Sequence, residues 1–399
     1  MNQNMATRVD PTFFQSLEKF GVKDWKDCYH CGNCTANCPL TEEDTLFPRK
    51  TIRQAQMGLK EQLISNTDLW MCYFCGDCTK TCPREANPCE IMRSIRRYQT
   101  SVYDWTGLSR KFYTSSAWEI AFIVGIGIVI LALFGLFLPP SAALWSDPAR
   151  FINAQGGVMI NNMVAGISGE KFLHIIHYGD WVMALIAGGL LISNIFRMFW
   201  LTLWRDRSVQ IPITAYFTEF WRLVFHFLTQ PKLRKCDDKS YWLGHITLMT
   251  GYTIMFILIV ALLPIFQTEE IVPWYNWQRI LGYYATFGIM VFLIPVIVGR
   301  FRKRKCKLKH SHPTDWHFII MLGLTAISGI AVHIFRLSGM PLETYFSYVI
   351  HLAILVPMIL IEVPFTKWSH LAYRPFAVYI KALKRAAVRR QVEPIPQFA

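Results

Sequence analysis

The chain has 399 residues, 53% of them hydrophobic, and a formal net charge of +14. That length accommodates two domains, and the hydrophobicity is unevenly placed: residues 1–110 read as polar and soluble, and the rest holds apolar runs about twenty residues long. The basic balance invites nucleic acid, but the charges cluster beside the apolar runs and no recognisable nucleic-acid module accompanies them, which argues against that class.

The opening "MNQNMATRVD" has one arginine and no apolar core behind it, so the N-terminus is expected to stay in the cytoplasm. The eleven cysteines then belong to a reducing compartment, where a dense set points to metal rather than to disulfides.

Eight of them form two copies of one pattern. "CYHCGNCTANCP" carries Cys28, Cys31, Cys34 and Cys38, and "CYFCGDCTKTCP" repeats the spacing with Cys72, Cys75, Cys78 and Cys82. C-x2-C-x2-C-x3-C-P is the bacterial ferredoxin run for a pair of 4Fe-4S clusters, in which the fourth cysteine ligates the other cluster. The expected ligand sets are therefore Cys28, Cys31, Cys34 and Cys82 on one cluster, and Cys72, Cys75, Cys78 and Cys38 on the other. Structural zinc sites use paired C-x2-C knuckles without the trailing fourth cysteine and proline. Between the quartets, "RKTIRQAQMGLKEQLIS" places Ile52, Ala55, Leu59 and Leu63 at helical spacing, so an all-helical two-cluster module is expected. Cys89 reads as a loop thiol or a substitute ligand. Cys236 and Cys306 lie in basic loops without partner spacing and read as free thiols.

Hydropathy predicts six spanning helices, over 117–138, 173–200, 242–266, 278–299, 315–337 and 343–366. Segment 205–241 carries seven Lys and Arg, Arg207 among them, and 300–309 carries seven more, Arg304 among them; the tail adds Lys381, Lys384, Arg385, Arg389 and Arg390. The intervening 139–172 has only Arg150 and Lys171. The positive-inside rule therefore puts both termini and both basic loops in the cytoplasm.

Ionisable side chains at membrane depth are costly and mark function. Paired histidines on facing helices suit a b-type haem, because two imidazoles saturate its iron and favour electron transfer. His245, near the inner start of the third span, and His370, near the inner end of the sixth, lie at matching depth for one haem, with His317 the runner-up. His351 precedes His370 by 19 residues, about 28 Å along a helix, so it implies a second, outer haem. Its partner is His177 or His333. His174 reads as facing the loop, and His226, His310 and His312 as solvated. Asp180, three residues after His177, and Glu362, in the sixth span, are either proton relays or groups satisfied by a neighbouring helix.

These parts resemble known families. The quartets with "TIRQAQMGL" and "EIMRSIRRY" look like the small iron–sulfur subunit of heterodisulfide reductases. "HLAILVPMILIEVPFTKWSHLAYRP" resembles the last helix of respiratory nitrate reductase cytochrome b subunits, where one histidine within the helix and one at its cytoplasmic end ligate two haems. By position, His351 and His370 match that pair and His245 matches the inner ligand on a facing helix. Met255 stands where that facing helix carries its second histidine, which leaves His177 and His333 open. The fusion of the two modules resembles the membrane subunit of quinone-interacting membrane-bound oxidoreductase complexes.

The resemblance implies an all-α chain: a cytoplasmic two-cluster ferredoxin-like domain over 1–110, a first transmembrane anchor helix over 111–138, a membrane dihaem cytochrome b domain over 139–375 and a basic tail over 376–399. It also implies two 4Fe-4S clusters, two haem b, and menaquinone as substrate drawn from the membrane quinone pool. The implied partners are flavin- and cluster-bearing cytoplasmic subunits A and B, coupled to adenylylsulfate reductase in dissimilatory sulfur metabolism. The alternative is the same wiring in a heterodisulfide-reductase-like or sulfite-reduction-linked complex, and a different class is a membrane-anchored cluster sensor.

Overall fold

The computed structural model describes residues 8–205, 210–303 and 305–392. Arg207, Arg304, the side chain of Cys306 and the tail beyond Val392 lie outside the described residues. Helices build the fold; the described residues add three isolated β-bridges and no strand.

The N-terminal domain comprises α1 (Phe13–Glu18), α2 (Arg49–Gln56), α3 (Lys60–Ser65) and α4 (Pro88–Tyr103), with single helical turns Asn33–Ala36 and Asp77–Lys80 after the cysteine loops. Its core packs Phe13, Leu17, Ile52, Leu63, Trp70 and Ile95. The single helix expected between the quartets is instead split into α2 and α3 at Gly58. This residue has φ +68°, and a Cβ there would fall 2.0 Å from the Asp10 carbonyl oxygen, so only glycine fits the crossing. The expected apolar face survives the break: Ile52, Ala55 and Leu63 are buried.

After α5 (Leu108–Thr114), α6 (Ser116–Phe137) opens the apolar half. The series continues with α7 (Gly169–Phe199, extended by a π-helical turn to Trp204), α8 (Phe220–Thr229), α9 (Lys239–Val260), α10 (Trp277–Arg302), α11 (Pro313–Leu337) and α12 (Pro341–Glu362). Six of these, α6, α7 and α9 to α12, are long and apolar enough to cross a membrane. Lipid offers backbone groups no partner, so such runs satisfy themselves as helices. Their starts are capped: Asn276 accepts from Gln278 N on α10, and His312 and Asp315 form a reciprocal capping box on α11. Small residues bring α9 and α10 together, for a Cβ on Gly251 or Gly288 would meet the Ala285 or Thr247 carbonyl at 2.8 or 2.6 Å.

The sixth apolar run departs from expectation. Its helix ends at Glu362 rather than near 366, and the chain turns through Pro364 and a 3-10 turn, Lys367–Ser369, before α13 (His370–Val392) begins. Proline withdraws an N–H and disfavours helix in the residue before it, which ends the run here. His351 and His370 are therefore on separate helices. The boundary expected at 375/376 falls inside α13, and the tail as far as Val392 is a docked helix. Tyr373, Ala377, Ile380, Leu383 and Ala387 form its buried stripe, with Tyr373 against Trp70 (ring centres 5.0 Å apart). Lys381 donates to Asp68 (3.0 Å), and Arg385 donates to Asp44 (2.6 Å) and Glu42 (2.5 Å).

The cluster domain thus packs on the end of the bundle that carries α8, His310 and α13. At the opposite end, the Asn161 backbone amide donates to Glu269 (2.9 Å), and the Tyr345 hydroxyl donates to the Leu138 carbonyl (2.8 Å).

Candidate functional site: two cysteine loops and a histidine pair

The two quartets fold alike. His30 and Phe74, at equivalent positions between the first two cysteines, have φ of 58° and 55°, and Gly32 and Gly76 follow at 88° and 90°. Two left-handed residues in each loop curl it tightly, and the glycine after the second cysteine is the residue type that reaches this conformation without strain.

The thiols interleave between quartets. Burial pushes the Cys34 thiol up to about 11, with Cys28, Cys31 and Cys82 close enough to add to the rise. Burial likewise raises Cys38, whose sulfur neighbour is Cys75 of the second quartet. Cys38, Cys72, Cys75, Cys78 and Cys89 line one small cavity together with Phe74. Among the described residues, no three Cys, His, Asp or Glu side chains converge on a position for a single metal ion. Eight soft thiol donors in two neighbouring loops suit the separate corners of two cubanes better than the paired knuckles of tetrahedral zinc. The residues fit the clusters that their spacing implies.

Two further cysteines adjoin the second quartet. Cys236 is 2% exposed, not a loop thiol in solvent, and its hydrogen bond to Cys75 holds that thiol below its usual value. Cys89 is buried against Cys34 and Cys78.

The second loop is joined to the membrane bundle through its backbone. The Cys72 carbonyl accepts from Arg96 of α4 (3.1 Å) and from Arg374 of α13 (3.2 Å). Arg374 also donates to the Trp70 carbonyl (3.3 Å) and stacks over the Tyr73 ring (3.9 Å). The Tyr73 hydroxyl and His226 Nε2 share a hydrogen bond (2.7 Å). His226, expected to be solvated, is 3% exposed, and burial with nearby Arg374 and Lys232 lowers its pKa to about 3. Asp315 anchors the same interface, accepting from Arg93, Arg97 and Lys367.

One turn before Arg374 lies His370. Its ring centre is 6.2 Å from that of His245 on α9. Two metal–imidazole bonds of about 2 Å each, plus about 1.1 Å from each nitrogen to its ring centre, give about 6 Å for two axial ligands. His370 Nδ1–H donates to the Lys367 carbonyl, which leaves Nε2 free to ligate and fixes the tautomer that ligation needs. His245 Nδ1 is buried without a hydrogen-bond partner. Both rings line a cavity of about 160 Å³ shared with Trp70, Phe74, Arg96 and Arg300. Phe292 stands edge-on to His245 (5.6 Å). The donor set and its spacing fit a six-coordinate haem.

The other histidines singled out from the sequence are dispersed. His351 Nδ1 meets Ser328 Oγ (2.9 Å) across α11 and α12. His177 Nε2 faces the Val260 carbonyl (3.0 Å), and His333 Nε2 meets the Tyr283 hydroxyl (3.1 Å). Each is engaged on a different helix pair, so the outer set is not gathered as His245 and His370 are. His317 turns Nδ1 to Glu119 Oε2 (2.5 Å). Asp180 is buried on α7, and Glu362 Oε2 accepts from Thr366 and from the Lys367 amide (3.2 Å).

Glu119 is an acid that the hydropathy pattern conceals. It is wholly buried, and its position three residues into the first apolar run is the signal that marks it.

Residues 24–86 match the family of 4Fe-4S dicluster domains. The C subunit of the H2:CoB-CoM heterodisulfide,ferredoxin reductase of Methanothermobacter marburgensis is 33% identical over 88 residues, which are 22% of this chain and 48% of that protein. A C-type iron-sulfur subunit of the CoB–CoM heterodisulfide reductase of Methanocaldococcus jannaschii is 39% identical over 96 residues, 24% of this chain and 51% of that one. The chain spans about half the length of the curated relatives it matches. No solved structure matches.

Proposed function

We propose that this chain is the membrane electron-transfer subunit of a respiratory oxidoreductase complex. In this reading it joins a menaquinone pool, through two b haems, to cytoplasmic flavin- and cluster-bearing subunits, through two 4Fe-4S clusters. The observation that carries it is the continuity at Arg374. One helical turn of α13 holds both His370, facing His245, and the side chain that donates to the Cys72 carbonyl. The relatives' names add support, since they are iron–sulfur subunits of reductase complexes.

When bound, the clusters and haems supply one-electron carriers. The chain's own residues do the rest. The interleaved cysteines hold both clusters in one compact domain. His245 and His370 would hold the inner haem, and the outer one would fall to His351 with His177 or His333, although these three are engaged on different helix pairs. Trp70, Tyr73 and Phe74 line the space beside the histidine pair with aromatic surface. Asp180 and Glu362 are the proposed proton acceptors for quinol, with both termini and the basic loops in the cytoplasm. Coupling of the soluble partners A and B to adenylylsulfate reductase completes the reading.

Iron, acid-labile sulfide and pyridine-haemochrome assays of the purified chain test it. Eight cluster irons and b haem are expected, and zinc without haem contradicts the reading. The same wiring in a heterodisulfide-reductase-like complex is distinguished by the subunits that copurify.

A further inference from the structure

The cavity beside His245 and His370 is lined by six cations and one carboxylate: Arg93, Arg96, Arg97, Arg300, Lys367 and Arg374 against Asp315. Four of the cations are accounted for. Arg93, Arg97 and Lys367 converge on Asp315, and Glu90 also accepts from Arg93 (3.1 Å) and Arg97 (3.0 Å). Arg374 spends its donors on the Trp70 and Cys72 carbonyls.

Arg96 and Arg300 are different. Arg96 is 5% exposed and Arg300 7%. Arg96 gives Nη2 to the Cys72 carbonyl and lies over the Phe74 ring (3.8 Å), but its Nη1 has no hydrogen-bond partner. Arg300 lies near the Trp316 ring (5.3 Å), while its Nε and Nη1 are both without one. Buried guanidinium groups require anionic or strongly accepting partners. A neutral quinone head or a lipid tail brings no charge to two such sites. One ligand answers both halves of the lining: a haem, which offers iron to the imidazoles and two carboxylates at a single edge.

We propose that Arg96 and Arg300 receive the propionate carboxylates of the haem clamped by His245 and His370, and that Arg96 at the same time holds the second cluster's loop through Cys72. This rests on the haem reading above. It makes Arg96 a side chain that touches both the haem and the backbone of a second-cluster ligand, and it orients the haem with its propionate edge toward the cluster domain. Both arginines are positioning residues: each places a positive charge beside a centre that gains an electron, which favours the reduced form.

The test is a potentiometric titration of the full-length chain, following the b-haem α-band and the cluster EPR signals, in wild type, Arg96→Gln, Arg300→Gln and the two Arg→Lys variants. The inner haem is assigned as the one lost in His370→Ala. Arg300→Gln is expected to lower that haem's one-electron reduction equilibrium about tenfold, or about 59 mV, leaving both clusters unmoved. Arg96→Gln is expected to lower the haem and the second cluster together. The lysine variants should return most of each shift. Haem and cluster potentials unchanged in both Gln variants overturn the proposal while the haem reading stands. If a Gln variant loses its haem, the matching Lys variant decides: a retained haem near the native potential supports the proposal, and a lost one overturns it. A wild-type chain with no haem overturns the underlying reading instead, and is recognised because no α-band titrates at all.

Discussion

Arg374 donates to the Cys72 carbonyl at 3.2 Å, so a side chain of α13, the helix that begins at His370, holds the loop of the second cysteine quartet. The second quartet therefore sits nearer the histidine pair than the first, with Phe74 lining both its cavity and theirs. Order along the proposed wire follows from this: quinone side, inner haem, second cluster, first cluster, soluble partner. The exposed Cys31 and Tyr29 of the first loop then form its outlet.

The interleaving of quartets has a direct consequence. Cys82→Ala should remove the cluster on Cys28, Cys31 and Cys34, although Cys82 belongs to the other motif, and Cys38→Ala should remove the cluster on Cys72, Cys75 and Cys78. EPR of the reduced variants reads which signal disappears. Loss of the cluster of the mutated cysteine's own motif would rule out the exchange.

Asp315 is buried beneath Arg93, Arg97 and Lys367. Asp315→Asn keeps its shape but leaves Lys367 without a carboxylate and Arg93 and Arg97 with Glu90 alone, a loss of about 3–5 kcal/mol. The expected outcome is detachment of the cluster domain from the bundle, read as a lowered unfolding midpoint and faster proteolysis between residues 104 and 116. A native midpoint would show that the cations find other partners.

The α9–α10 crossing positions His245. Gly288→Leu drives a side chain into the Thr247 carbonyl, which a Cβ alone already meets at 2.6 Å, and overpacking of this kind costs about 1–3 kcal/mol. With α9 displaced, the inner haem should be lost or halved in the haemochrome assay while the iron–sulfur content holds. Unaltered haem content in a stable Gly288→Leu protein would count against the His245 ligand.

Docking of the C-terminal part of α13 depends on pH. The Arg385 hydrogen bonds hold the Asp44 carboxyl well below the usual carboxylate range. A depressed folded-state pKa contributes stability above the unfolded value, about 3.9, and that stability is lost as pH falls below it. Asp44 is nearly half exposed, so salt screens much of the effect. Hydrogen exchange of the 381–392 amides should quicken below about pH 4 and in high salt, and Arg385→Gln should abolish both dependences. Persistence of the acid response in Arg385→Gln would place its origin elsewhere.

The spans and the cluster loops were legible because each carries its signal locally. Twenty apolar residues read as a span without their neighbours, and the observed bounds of α6, α7, α10 and α11 lie within about four residues of the hydropathy readings, while α9 ends at Val260, six residues before the expected 266. The docking was not legible. Arg93 and Asp315 are 222 residues apart, and each alone reads as an ordinary charge. The single helix expected through His351 and His370 ignored what Pro364 does to a run of apolar residues. The "basic tail" reading weighed the charges of α13 and missed the stripe from Tyr373 to Ala387 between them. The basic residues around His226 and Cys236 read as a solvated loop, whereas tertiary packing against Tyr73 and Cys75 buries both.

The central claim is that the histidine pair and the cysteine loops belong to one electron path. Stopped-flow reduction of the full-length chain by a menaquinol analogue, monitored at the haem α-band and by freeze-quench EPR of the clusters, tests it in wild type and His370→Ala. Wild type is expected to reduce haem and then clusters, the second before the first, whereas His370→Ala loses one haem and leaves both clusters intact but oxidised. Cluster reduction at the wild-type rate in a His370→Ala protein that lacks that haem would contradict the claim.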